Sequence, residues 1–187
     1  MKKIWMLAIC LGISSLAAAQ NAKERKQNIR AAESACGDPH IHVQVQKNLN
    51  FHAPPPIESG KARVYVIESK YGMLNPTILV GMDGTWMGAT KGNAYITFSV
   101  DPGEHHLCVA GKPALRNILV PISLEELSAT ANHTYYFQTT LYEGYYFNIF
   151  DLESVNPDEA RLLLTESTPV VSRILIAKKA EKQKHHP

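Results

Sequence analysis

Eight histidines, eight tyrosines and three cysteines are the side chains of this 187-residue chain best suited to chemistry. His40 and His42 sit two apart in an alternating run, so on a strand both imidazoles project to one face, a workable spacing for metal ligands. His105 and His106 are adjacent, and only one of them can join such a face. A zinc or copper site from His40, His42 and one of His105 or His106 needs the two runs to be neighbouring strands. Otherwise these are surface imidazoles; His52 is expected to be loose in the connector, and His185 and His186 to bind metal only loosely. Five of the tyrosines fall between Tyr135 and Tyr146. On one face of a hairpin there, Tyr136, Tyr142, Tyr145 and Phe147 form a candidate binding face for a glycan or protein, since planar phenols combine contact area with polar tips. The alternative is that the segment after Asn156 covers this face from within.

Signatures of catalysis are missing. The chain has no Gly-x-Ser-x-Gly elbow, phosphate-binding loop, His-Glu-x-x-His or Cys-x-x-Cys. No catalytic residue and no cofactor is expected.

The first nineteen residues read as an export signal. Lys2 and Lys3 precede an apolar run from Ile4 to Leu16, and Ala17-Ala18-Ala19 supplies a small-residue cleavage site. The run is too short to span a bilayer, which takes about 20 residues. Cleavage removes two lysines and leaves 17 basic against 17 acidic residues. A neutral chain of that kind has no global attraction to nucleic acid. It also removes Cys10, leaving Cys36 and Cys108 as an even pair in an exported chain, and a disulfide is expected.

The elements that must hold these residues are mostly short strands. Residues 20–38 are polar and read as a mobile leader. His40 to Gln46 alternates apolar and polar positions, as a half-buried strand does. Pro54-Pro55-Pro56 makes a stiff connector, and Lys61 to Glu68 is rich in β-formers. Thr77 to Met82 then leads into Asp83-Gly84, the dipeptide best suited to a type I′ hairpin. Asp101-Pro102-Gly103-Glu104 marks a further turn. Pro113 to Ser128 is less regular. Thr134 to Tyr142 and Tyr145 to Val155 form an aromatic hairpin about Glu143-Gly144, with Tyr142 opposite Tyr145. Asn156-Pro157-Asp158-Glu159 opens a helix expected to end near Glu166. Val170 to Ala177 is a last strand or packed segment. Residues 178–187 form a disordered basic tail.

Strand density and hairpin turns place the fold in the mainly β class, as a single antiparallel β-sandwich over residues 39–177 with one short C-terminal helix. With Gly60 to Val66, Val80 to Gly88, Val100 to His105 and Thr134 to Phe137 in that order, the chain resembles a family of bacterial exported domains, domain of unknown function 2846. It is also similar to PEGA-type sandwich modules, which share an Asp-Gly hairpin and a Pro-Gly-Glu-His turn. The resemblance covers about Gly60 to Glu166 and implies an immunoglobulin- or transthyretin-like sandwich in the cell envelope, with no catalytic residues to transfer. The expected role is that of an exported, non-enzymatic binding or structural module, periplasmic or otherwise envelope-associated and not transmembrane. Its partner would be an envelope protein or glycan. The alternatives are a histidine-dependent metal-binding protein and an unrecognised hydrolase.

Overall fold

A computed structural model describes residues 36–37, 41–50, 54, 56–69, 76–112, 120–143 and 148–176. The stretch expected to be an export signal, most of the expected leader, His40, Tyr145, Phe147 and the expected basic tail lie outside them. The chain runs β1 (Ile41–Lys47), β2 (Ala62–Glu68), β3 (Thr77–Met82), β4 (Thr85–Lys91), β5 (Ala94–Val100), β6 (Gly103–Lys112), β7 (Val120–Ala129), β8 (Thr134–Glu143), β9 (Asn148–Ser154), α1 (Pro157–Glu166) and β10 (Thr168–Ile176). Six strands form one sheet in the order β1-β10-β5-β2-β8-β9, and four form the other in the order β4-β3-β6-β7. Among the described residues the molecule is a mainly β sandwich with the short helix α1.

Alternation on facing strands builds the core. Val64 and Val66 of β2, Ile96 and Val100 of β5 and Phe137 of β8 meet Ile78, Val80, Leu107 and Val109 of the small sheet. The next residues along, Leu79, Cys108 and Ala110, point to the opposite face of the small sheet. That face is covered too, by Ile41, Val43 and Val45 of β1 and Ile174 of β10. The β1–β10 ribbon therefore belongs by pairing to the large sheet yet packs across edge strand β4. Gly88 makes the approach feasible, because a Cβ there would lie 2.2 Å from Ser172 Oγ. The Ser172 hydroxyl instead accepts a hydrogen bond from the Ala89 amide at 3.1 Å. At the far edge, Ser123 Oγ of β7 donates to Asp151 Oδ1 of β9 at 2.9 Å and accepts from the Leu152 amide at 3.2 Å.

Asp83 and Gly84 both have positive φ, 49° and 78°, as the type I′ hairpin requires. Asn156 caps α1: its side-chain oxygen accepts from the amides of Asp158 and Glu159 at 3.1 and 2.9 Å. Cys36 and Cys108 are bonded with Cα atoms 5.6 Å apart, so the end of the leader is buried against β3 and β6.

The Asp101–Glu104 turn carries the chain from β5 in one sheet to β6 in the other. Three expectations need correction. β2–β8 and β5–β10 pair in parallel rather than antiparallel; each pair is separated by long excursions of chain, which leave direction unconstrained. The irregular stretch contains a ten-residue strand, β7, whose pattern is disguised by Pro121 and by adjacent Glu125 and Glu126. In the aromatic hairpin, Glu143 pairs with Asn148 and Tyr142 with Ile149. Tyr142 thus has Ile149 as its register partner where Tyr145 was expected, and residues 144–147 lie outside the described residues. Glu143 is poorly suited to the positive φ that a two-residue turn demands, so the longer connection wins.

Candidate functional site

The large sheet is split. β10 pairs with β5 only at Thr168–Ala94 and Pro169–Tyr95, and then leaves it to pair with β1 along seven residues. Pro169 has no N–H to extend the ladder, which ends there. Asn93, in a left-handed conformation with φ 52°, fixes the junction: its side-chain amide donates to Glu166 O at 2.7 Å, and its carbonyl accepts from the Thr168 amide at 3.1 Å. Beyond this fastened end the strands separate around a cleft of about 250 Å³.

The walls of the cleft are chemically unlike. Tyr95, Thr97 and Ser99 of β5 present hydroxyls from the outer face of the sheet, beside Arg63 of β2, whose register partner is Ser99. Phe98 and Val170 supply apolar surface from the core side, and Val171 stands at the mouth. Among the described residues Arg63 is the only charged one lining the cleft, and it is 8% exposed. It and Tyr95 are also held by further interactions within the fold. The Thr97 hydroxyl is buried without a hydrogen-bond partner among the described residues. Burial, and then Tyr65 beside it, raises the Tyr95 phenol above its ordinary pKa, so it is neutral at physiological pH. Val171 is 52% exposed, and Leu49, directly after the lining residue Asn48, is 83% exposed.

The sequence-derived candidates lie elsewhere. Tyr136 is half-buried, stacked on Tyr65 with ring centroids 5.2 Å apart, in a cluster with Ala160, Leu163 and Leu164 of α1. At this position the helix covers the tyrosine face from within. Tyr142 is placed on β8 by its backbone, while Tyr145 and Phe147 fall outside the described residues.

Of the histidines, His42, His105, His106 and His133 fall among the described residues. His42 is exposed on β1, on the side away from Val43 and Val45 that pack on the small sheet. His106 is exposed on β6. His105 has both ring nitrogens engaged, Nδ1 with Asp83 Oδ2 at 2.6 Å and Nε2 with Asp101 O at 2.7 Å. Because both partners are acceptors, the satisfied form is the imidazolium. Burial lowers the pKa of His105, but the Asp83 carboxylate and the Asp101 carbonyl outweigh it and the net shift is upward. Burial likewise opposes, and His105 with the His106 amide overcomes, so that Asp83 is held below the ordinary carboxylate value. The pair ties the β3–β4 turn to the entrance of β6. Among the described residues, no three His, Cys, Asp or Glu side chains converge as metal ligands would.

A second buried polar group plugs one end of the sandwich. Glu68 turns inward at the end of β2 and is fully buried beside Thr90 and Thr139. Its Oε1 accepts from the Gly92 amide at 3.0 Å, whereas Oε2 has no partner among the described residues. Burial drives its pKa up to about 7; the Gly92 amide, the nearby Thr90 hydroxyl and the charges of Lys47 and Lys91 pull it back only in part. Thr90 Oγ1 stands close without reaching hydrogen-bond geometry.

Of these features the cleft alone joins volume, a cation and neutral donors. Sequence reasoning missed it, although Pro169 opening a strand was a readable sign of a broken ladder. No family model, curated protein or solved structure matches the chain. Among the described residues, no helix is long and apolar enough to cross a membrane.

Proposed function

We propose that this chain is an exported, non-enzymatic envelope protein whose sandwich binds a small ligand at the split between β5 and β10. The cleft carries this reading: it is the described region where polar groups converge on space large enough for an occupant. Export is supported by the signal-like N-terminus and by the Cys36–Cys108 bridge, which suits an oxidising compartment. The PEGA-like and unknown-function family resemblance is consistent with an envelope sandwich and remains part of the proposal. An envelope glycan or protein could serve as partner by presenting one compact group to the cleft, because a volume of about 250 Å³ lies just under the usual range for ligand pockets. The metal-binding alternative cannot draw on His105 as a free ligand, since His105 spends both ring nitrogens on Asp83 and Asp101.

Amide NMR of the mature, oxidised protein tests the reading. Titration with small sugars, short peptides and organic acids should shift the amides of Thr97, Phe98, Ser99, Val170 and Val171 together. Shifts confined to other surfaces, or none at all, would remove the cleft as the functional site.

A further inference from the structure

We infer that the cleft takes an extended peptide segment of a partner protein, added as a strand to the edge of β5 from which β10 departs; the inference deepens the reading of the cleft as a binding site and rests on it. Hydrogen-bond direction locates that edge. The Arg63 amide donates to the His133 carbonyl on the β8 side at 2.9 Å, so Arg63 stands opposite Ser99 of β5 without exchanging backbone hydrogen bonds with it. The Ser99 amide and carbonyl therefore point away from β2, toward the cleft. Alternation along the strand puts those of Thr97 and Tyr95 on the same side and those of Phe98 toward β2. Tyr95 belongs to the two-residue ladder with β10, which ends there. Thr97 and Ser99 have no strand partner on the cleft side among the described residues.

This edge lacks the usual guards. Natural sheets blunt an open edge with charged residues, proline or a bulge. β5 reads Ala-Tyr-Ile-Thr-Phe-Ser-Val, with none of these residues, and its register with β2 is unbroken. From Ile96 to Val100 it offers about 17 Å of strand. The walls then select the side chains. A strand laid along β5 turns alternate residues toward Phe98 and Val170 on the core side and toward Thr97 and Ser99 on the outer side. Thr97 adds a buried hydroxyl with no partner among the described residues, which a polar side chain on a neighbouring strand satisfies. The occupant is accordingly a segment in which apolar and neutral polar residues alternate, held chiefly by its backbone.

The capped peptide acetyl-Thr-Val-Thr-Val-Thr-amide tests strand addition without altering the protein. In the mature, oxidised protein alone, the amides of Thr97 and Ser99 should exchange hydrogen faster than that of Phe98. Saturating peptide should slow both by about tenfold and leave Phe98 unchanged. Two ester analogues, one replacing the valine amides and one the amides of the second and third threonines, keep the shape and remove alternate donors. At least one should bind about tenfold more weakly than the parent peptide. Equal affinity of all three peptides would overturn backbone pairing. Slow exchange at Thr97 and Ser99 in the free protein would place another part of the chain on the edge, and protection that grows with protein concentration alone would place a second copy there; either result overturns the partner peptide. Cleft shifts from the peptide without protection of Thr97 and Ser99, or from small sugars and organic acids alone, would overturn the added strand and leave the cleft standing. Absence of cleft shifts with every probe would overturn both readings.

Discussion

Glu68 exchanges hydration for one backbone hydrogen bond and a position between two sheets, and burial holds its proton on to about pH 7. An acid whose folded pKa lies above its ordinary 4.5 binds its proton more tightly folded than unfolded. Its contribution to stability is complete below pH 4.5 and is lost as the pH rises through about 7. The difference between the two pKa values corresponds to roughly 3 kcal/mol, spent between those limits. Glu68→Gln keeps an acceptor for the Gly92 amide and has no proton to lose. Urea unfolding at pH 5 and pH 8 should therefore show wild type losing stability relative to Glu68→Gln as pH rises. The gap should change by about 2–3 kcal/mol. Parallel pH profiles for the two proteins would mean that the carboxyl is ionised in the fold throughout. Asp83 and His105 titrate in both proteins, so their effects cancel in the comparison.

At the level of elements, Asn93 decides where β10 starts and hence where the cleft closes. It accepts a left-handed φ that most side chains resist, and its side-chain amide satisfies the Glu166 carbonyl at the end of α1. Asn93→Gly keeps the backbone conformation and deletes that bond. The expected loss is about 1 kcal/mol, with faster hydrogen exchange at Thr168 than at the Val64 and Val66 amides of the central strand. An exchange pattern unchanged at Thr168 would show that the backbone bond to Asn93 O alone fastens the junction. The same elements show what a sequence can disclose. Asp83-Gly84 and Asn156-Pro157 were legible because turn and cap chemistry is local. The β8–β9 register was not: the expected and observed pairings differ by an even shift, which leaves Phe137 and Leu152 on the core face either way. The cleft was hidden for a related reason. Alternation in β1 and β10 reports two unlike faces, but not that one face would leave its own sheet and cover the back of another.

For the molecule as a whole, the bridge between Cys36 and Cys108 spans 72 residues and fastens the end of the leader to the back of the small sheet. In the loop-entropy description a closure of that length contributes about 4 kcal/mol. The fold makes room for it at Gly81, beside a register shift between β3 and β4. A Cβ at Gly81 would lie 2.5 Å from the Cys36 carbonyl oxygen and 2.8 Å from Cys108 Sγ. Neither neighbour is the free end of a flexible side chain, so Gly81→Ala forces backbone to move while the bridge holds it in place. The expected cost is about 2–3 kcal/mol in the oxidised protein. With both cysteines replaced by serine, the leader can lift from β3 and relieve the contact. The penalty of Gly81→Ala should then fall by at least about 1 kcal/mol, a non-additivity that a double-mutant cycle measured by urea unfolding will read. Equal penalties in the two backgrounds would mean that residues 36–37 stay seated on β3 without the bond. The β1–β10 ribbon and Trp86 of β4, which share a buried cluster with Cys36, would then hold residues 36–37 down in place of the disulfide.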